Sequence, residues 1–291
     1  MKQKVTFFQA GYCTHPEAIV IKGGRWKNKV FPSLFALIQH PRMGAILFDT
    51  GYSSRFFDET RSFPFRFYAL TTPVYFQPTD SAVSQLRKYG IPAEAIQYII
   101  ISHFHADHVG GLRDFPDAKF ICFHSAYEAV KMLRGLGAVK AGYLSGLLPE
   151  DFEERTDFLS ANQDDLHLNY NCELVSLPTA YAPFETGFDL FGDGSILAVE
   201  LPGHVMGQLG IFLTDADEQT SFLVADACWL RRAYQELVTP HPLANLIFSD
   251  RRAYANTLQK IHRLHQLNPS IKIVPTHCQE TWKMLNTKVS A

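Results

Sequence analysis

The sequence predicts an α+β domain made of two similar β-rich halves packed against each other, with no linker between them. Three observations carry that reading. Short apolar runs such as Ile99-Ile100-Ile101 and Phe222-Leu223-Val224 stop abruptly at polar residues, as fully buried strands do. The pattern occurs in both halves: ILFDTG precedes IIISHFH, and FLVADA precedes IKIVPTH. The 291 residues show no short-period repeat, and with 46% hydrophobic and 19% charged side chains they can bury a sizeable core.

Taken in order, the first fifty residues read as strands over Val5–Gln9, Ala18–Lys22, Leu34–Gln39 and Ala45–Phe48. His40-Pro41-Arg42-Met43-Gly44 supplies a hairpin turn between the last two. Asp49 follows at a strand end, either as a turn residue or as outer support for a metal site. Residues 52–78 crowd Phe56, Phe57, Phe63, Phe65, Phe67, Tyr68, Tyr75 and Phe76 among three prolines. Such an insert is expected to form a loop or short helices, serving as a satellite core, a pocket wall or a homodimer contact. Its Phe65 and Tyr68 are substrate-binding candidates. Ser81–Tyr89 has helical spacing and stops at Gly90. Beyond Ile101, a strand is expected over Lys119–Phe123, a helix over Ser125–Leu133 and irregular chain over 135–163. Strands follow at Leu174–Leu177 and Ser195–Leu201, with Phe191-Gly192-Asp193-Gly194 as a hairpin turn. Arg251–Leu267 is a helix by its apolar spacing, and Asn268-Pro269 ends it.

The stretch with most chemistry is His103-Phe-His105-Ala-Asp107-His108, directly after the Tyr98–Ile101 strand and before Gly110-Gly111. Imidazoles and a carboxylate are costly to bury unpartnered, and together they are what a divalent cation needs. His103 and His105, two apart in extended chain, can face one ion. Asp107 and His108, being adjacent, diverge and could hold a second. Three later strands end the same way, at His204 after Leu201-Pro202-Gly203, at Asp226 and at His277. If these ends converge, His103, His105 and His204 hold one ion, Asp107, His108 and His277 the other, and Asp226 bridges both. No cysteine belongs to the set, which argues against a closed thiolate zinc site. Two divalent ions are expected, zinc first, with iron, manganese or cobalt tolerated by the same donors. Such a pair, roughly 3.5–4 Å apart, lowers the pKa of a shared water toward about 7 and polarises a carbonyl or phosphoryl oxygen.

The rest of the composition excludes more than it assigns. A net charge of −2 disfavours a dedicated nucleic-acid binder. The apolar run at the N-terminus is too short for a signal-peptide core, and no stretch approaches a membrane span. Five widely spaced cysteines without a C-x-x-C pair point to a reducing cytoplasm and no disulfide framework. His262 and His265 are expected to be solvated, and His15, His40, His124 and His167 lie in strand ends or loops without neighbouring ligands. His241, in Thr-Pro-His-Pro, is the remaining histidine expected to line a pocket.

The ordered set HxHxDH, Gly203-His204, Asp226 and His277 resembles the metallo-β-lactamase superfamily, over the span from Asp49 to His277. That resemblance implies a four-layer αββα sandwich, one domain over residues 1–291, with the metals at one edge of the two sheets. Within it, ETGFDLFGDGSILAVELPGHVMGQLG and ILFDTGY are similar to the N-acyl homoserine lactonase branch. The implied reaction is attack by a metal-bridging hydroxide on a lactone or small carboxylic ester, with Asp107 protonating the leaving group and Asp226 holding both ions. Two departures stand out: Trp229 occupies the position of a family tyrosine that helps bind the carbonyl oxygen, and Val205-Met206 follows His204 where Thr-Pro is usual. A thioesterase or phosphodiesterase on the same scaffold, or a metal-binding regulatory protein without turnover, are the rival readings.

Overall fold

A computed structural model of the chain describes residues 3–160 and 172–286. In chain order the first half contains β1 (Lys4–Pro16), α1 (Glu17–Val20), β2 (Asn28–His40), β3 (Gly44–Phe48), α2 (Arg55–Glu59), α3 (Arg66–Thr71), β4 (Val74–Tyr75), α4 (Ala82–Lys88), β5 (Ile96–Ile100), α5 (Ala106–Val109), β6 (Lys119–Phe123), α6 (His124–Glu128), α7 (Gly135–Lys140) and β7 (Thr156–Leu159). The second contains β8 (Leu174–Ser176), β9 (Thr186–Asp189), β10 (Ile196–Glu200), β11 (Leu209–Thr214), β12 (Thr220–Ala225), α8 (Arg231–Glu236), α9 (Arg251–Leu267), β13 (Lys272–Pro275) and α10 (Gln279–Asn286). The halves form a seven-stranded sheet, β4-β1-β2-β3-β5-β6-β7, and a six-stranded sheet, β13-β12-β11-β10-β9-β8. With helices on their outer faces, the sheets make the αββα sandwich.

Strand periodicity decides which side chains meet between the sheets. Ile196, Ala198, Ile211, Leu213, Leu223 and Val274 face the first sheet and join its Ala36, Ile46, Ile100 and Ile121 in one core. Their alternates Leu197, Val199, Phe212, Phe222 and Val224 face outward, where Tyr254, Leu258, Ile261 and Leu264 of α9 cover them. The α9 stripe is the one its sequence spacing predicts, and Asp250 caps it by accepting from Arg252 N at 2.7 Å and Ala253 N at 3.0 Å. The repeated sequence pattern has a direct counterpart: β3 pairs with β5, and β12 with β13, both in parallel. Parallel partners end on the same side, so Asp49, His103, Asp226 and His277 emerge at one edge. The opposite edge is tied by polar contacts between sheets. His40 Nε2 lies 2.9 Å from Ser195 Oγ, while Gln3 Nε2 donates to Ser195 O at 2.8 Å and Thr214 O at 3.1 Å.

Several local expectations are corrected. Ala18–Lys22 is not a strand. Residues 17–20 form one helical turn, closed by Ile21 N to Glu17 O at 3.0 Å and by Ala18 N to Arg25 O at 2.9 Å. The extended propensity of Ile19, Val20 and Ile21 yields there to a local closure. The helix expected over Ser125–Leu133 stops at Glu128 and continues as turns, with Lys131 N donating to Tyr127 O at 2.9 Å. Within the stretch expected to be irregular lie α7 and β7; β7 is a four-residue edge strand parallel to β6, too short to announce itself. The last residues of that stretch, and His167, lie outside the described residues. His262 and His265 are half-buried against α8: His262 Nδ1 lies 2.6 Å from Tyr234 O, and the His265 ring packs 5.2 Å from that of Tyr234. The five cysteines are free thiols. Among the described residues no helix is long and apolar enough to cross a membrane.

Candidate metal centre

Beyond β5, His105 has an extended backbone at the start of α5, and the rings of His103 and His105 lie 4.6 Å apart. The single turn of α5 then carries Asp107 and His108. Asp49 is the hub behind them. Its carboxylate accepts from Ser102 N and Ser102 Oγ, both at 2.8 Å, and lies 2.7 Å from His108 Nδ1. Thr50 N and Oγ1 both donate to His108 O, at 2.8 and 2.9 Å, locking the turn after β3 onto α5. An acceptor at Nδ1 keeps the proton there and turns the Nε2 lone pair of His108 inward. The Pro32 carbonyl of β2 does the same for His277, 2.7 Å from its Nδ1. His204 is set by the turn leading into α9: Gly203 O accepts from Asp250 N, and His204 O from Ser249 N, each at 3.0 Å.

All seven predicted ligands come together. The donor atoms of His103, His105, His204 and Asp226 lie within 4.8 Å of one another, and so do those of Asp107, His108 and His277. Asp226 faces both groups, with Oδ2 3.4 Å from His204 Nε2 and 3.2 Å from His277 Nε2, and Oδ1 3.4 Å from His108 Nε2. Asp107 Oδ2 lies 3.2 Å from His277 Nε2, while its Oδ1 is 3.9 Å from His108 Nε2.

The donor set fits cations. His103 Nε2, His108 Nε2 and Asp226 Oδ1 are buried, and among the described residues none has a hydrogen-bond partner. Burial holds His103 well below the usual imidazole range and pushes His204 down to about 3, so both are neutral donors. Burial opposes charge on His108 as well, yet Asp49, then Asp107 and Asp226, raise it to about 10. On Asp107 burial favours the neutral acid, but His108 and His277 outweigh it and lower the carboxyl to about 2. The carboxylates thus draw positive charge into the centre, which is what a cation pair supplies.

The centre opens onto a cavity of about 270 Å³. Its apolar wall comprises Ile19, Val20, Phe31, Val139, Leu243, Ala244 and Ile247. Gly142 backs onto His105 so closely that a Cβ there would meet the ring at 2.6 Å. Of the substrate-binding candidates, Tyr68 and Trp229 line the cavity; Phe65 and His241 do not. Phe65 packs against the core beneath α3, and His241 caps the following turn through Nδ1, which accepts from Leu243 N at 3.2 Å. The indole N–H of Trp229 is already engaged, donating to Asp226 Oδ2 at 2.9 Å, so it orients that carboxylate. Sequence reasoning missed Cys13, His15, Thr72 and Lys140, which also line the cavity. They are scattered over separate elements and share no motif.

Burial pushes the Cys13 thiol up to about 12. At pH 8 its thiolate fraction is then about one in ten thousand. Iodoacetamide at that pH should leave Cys13 unmodified in the native protein and label it after denaturation, as read by peptide mass spectrometry. Native labelling at the rate of a free thiol would contradict this.

A family profile described as the metallo-β-lactamase superfamily matches residues 28–266. The N-acyl homoserine lactonase AttM of Azorhizobium caulinodans is 24% identical over 270 residues, covering 91% of this chain and 88% of that protein. Its namesake from Agrobacterium fabrum is 23% identical over 270 residues, with the same coverage of 91% and 88%. Among solved structures, an N-acyl homoserine lactone hydrolase with the product N-hexanoyl-L-homoserine bound at its catalytic metal centre superposes with a TM-score of 0.71, at 18% identity, covering 98% of this chain and 96% of that one. The dizinc quorum-quenching lactonase AidC gives a TM-score of 0.61 at 14% identity, covering 95% and 88%.

Proposed function

The chain belongs to the metallo-β-lactamase superfamily and is a metal-dependent hydrolase, and from that premise we propose that it opens a lactone or small carboxylic ester with an apolar portion. One observation carries the choice of substrate: the seven-residue centre opens onto a largely apolar cavity whose lining, among the described residues, includes a single Lys or Arg, Lys140. A phosphodiester, with its fixed negative charge, calls for more cationic side chains than that. Two divalent cations, zinc in the first place, held by His103, His105 and His204 on one side and Asp107, His108 and His277 on the other, with Asp226 between, would supply Lewis acidity toward a water and toward the substrate carbonyl.

The chain's own residues do the rest. Asp107 Oδ1, the oxygen farther from its imidazole neighbour, is the atom that moves the proton. It takes one from the attacking water and returns it to the alkoxide as the acyl carbon–oxygen bond breaks. Asp226, steadied by the Trp229 indole, keeps the two donor groups at a fixed separation. The apolar wall excludes water from one side of the scissile bond and binds the substrate's hydrocarbon part. Because Trp229 is engaged with Asp226, recognition of the carbonyl oxygen by a side chain at that position is absent from this reading.

A pH-stat assay against lactones, aryl esters, thioesters and bis-phosphodiesters tests the reading. Lactones are expected to react fastest, with esters next; a preference for a phosphodiester would reject it. The outer carboxylate is open to a separate test. Asp49→Asn should weaken metal affinity by about 10- to 100-fold, measured by competition with a chromophoric chelator. Unaltered affinity would show that His108 needs no partner behind it.

A further inference from the structure

We propose that the surface around Trp26, beside the mouth of the cavity, docks on an anionic phospholipid bilayer. The surface lies outside the metal centre, so it stands whichever substrate the centre takes. After α1 the chain runs Lys22-Gly23-Gly24-Arg25-Trp26-Lys27 and enters β2 at Asn28. Trp26 is 70% exposed, and its ring lies edge-on 5.7 Å from that of His241. The turn after His241, Pro242–Leu246, carries Leu243 and Leu246, the latter also 70% exposed, and exposed Ile247 follows it. Two backbone bonds stitch these loops together: Lys22 N donates to Thr239 O at 2.9 Å, and His241 N to Ile19 O at 3.1 Å. Leu243 and Ile247 also line the cavity, so the exposed face and the cavity mouth are continuous.

Single exposed apolar side chains are ordinary, but four beside one opening mark an interaction surface. The charges around them identify the partner. Residues 17–29 carry four basic side chains and one acid, in a chain whose net charge is −2. That acid, Glu17, is ion-paired with Lys29 and accepts from Arg25 N at 3.1 Å. Lys22, Arg25 and Lys27 remain exposed around the indole. An indole and aliphatic side chains ringed by cations suit the headgroup layer of a bilayer. There the apolar groups reach the acyl boundary and the cations meet lipid phosphates. A second copy of the chain fits worse, because a two-fold contact through this face would set Lys22, Arg25 and Lys27 near their own counterparts.

The test is co-sedimentation of the whole metal-loaded chain with vesicles of phosphatidylglycerol and phosphatidylcholine in equal parts, against phosphatidylcholine alone. The mixed vesicles should bind the protein, and pure phosphatidylcholine about tenfold more weakly. Added salt should loosen binding to the mixed vesicles. Each basic side chain near such a surface strengthens binding about fivefold, so Lys22→Gln, Arg25→Gln and Lys27→Gln combined should cost about a hundredfold. Trp26→Ala should cost roughly tenfold. Arg87→Gln with Lys88→Gln is the control. It removes two exposed charges at the end of α4, where Tyr89 lies under Lys4 at the far end of β1, and should leave binding within about twofold. Failure to bind the mixed vesicles, undiminished binding by the triple variant, or an equal loss in the control would overturn the proposal. So would a dimer in lipid-free sedimentation velocity that Trp26→Ala dissolves, which would give this face to a second copy.

Discussion

Asp107→Asn is expected to keep most of the bound metal while kcat falls by about a thousandfold. The side chain lines the cavity and faces two imidazole neighbours, with Oδ2 3.2 Å from His277 Nε2 and Oδ1 3.9 Å from His108 Nε2. Asparagine has the same shape and keeps one oxygen as a donor to a cation, but it cannot accept a proton and release it again. Loss of a positioned acid–base group typically costs 10²–10⁴-fold. Steady-state kinetics alongside metal analysis separates the two roles. Turnover within about tenfold of the wild type would remove Asp107 from proton transfer; loss of both cations would make it chiefly a ligand.

Gly203→Ala should destabilise the whole protein by about 4 kcal/mol, a drop in Tm of roughly 10 °C for a chain of this size. Two independent penalties meet at this residue. Its φ of 130° lies in a region that side chains other than glycine rarely adopt, and a Cβ there would stand 2.1 Å from Tyr254 N and 2.2 Å from Tyr254 Cα. The obstacle is helix backbone, so no side chain can swing aside. Thr257 Oγ1, which donates to Pro202 O at 2.7 Å, and Asp250 N, which donates to Gly203 O at 3.0 Å, hold the same turn. His204 must follow any displacement, so metal content should drop with stability. Differential scanning calorimetry with metal analysis measures both; a Tm within about 2 °C of the wild type would mean the turn has slack that the packing does not show.

Much of the architecture could be read from residues whose environment restricts their chemistry. Ile99-Ile100-Ile101 and Phe222-Leu223-Val224 can only be buried, and the polar residues that end such runs had to leave the core at one edge. The paired pattern of carboxylate strand and histidine strand corresponds to the parallel neighbours β3–β5 and β12–β13. The walls were illegible for the opposite reason. Ile19, Val139, Leu243 and Ile247 are ordinary apolar residues on short elements, and only the closed fold makes them neighbours. His15 illustrates the limit: with no ligand-type residue nearby in sequence, it reads as a loop histidine until β1 and β4 pair. Ala18–Lys22 fails in another way, because one turn of helix closed from Arg25 leaves no periodic trace. His241 was singled out by its prolines, and those prolines mark a cap rather than a wall.

The polar contacts at the far edge, His40 to Ser195 and Gln3 to Ser195 and Thr214, alter what chelation can do to this molecule. They act as a spine along which the two sheets stay aligned, while the ligand cluster at the other edge acts as a clasp drawn from both. If that cluster holds ions, stripping them would undo the clasp and leave the spine in place. With that spine and the apolar core shared by the two sheets both intact, a chelated chain is expected to keep its fold and to take the ions up again on their return.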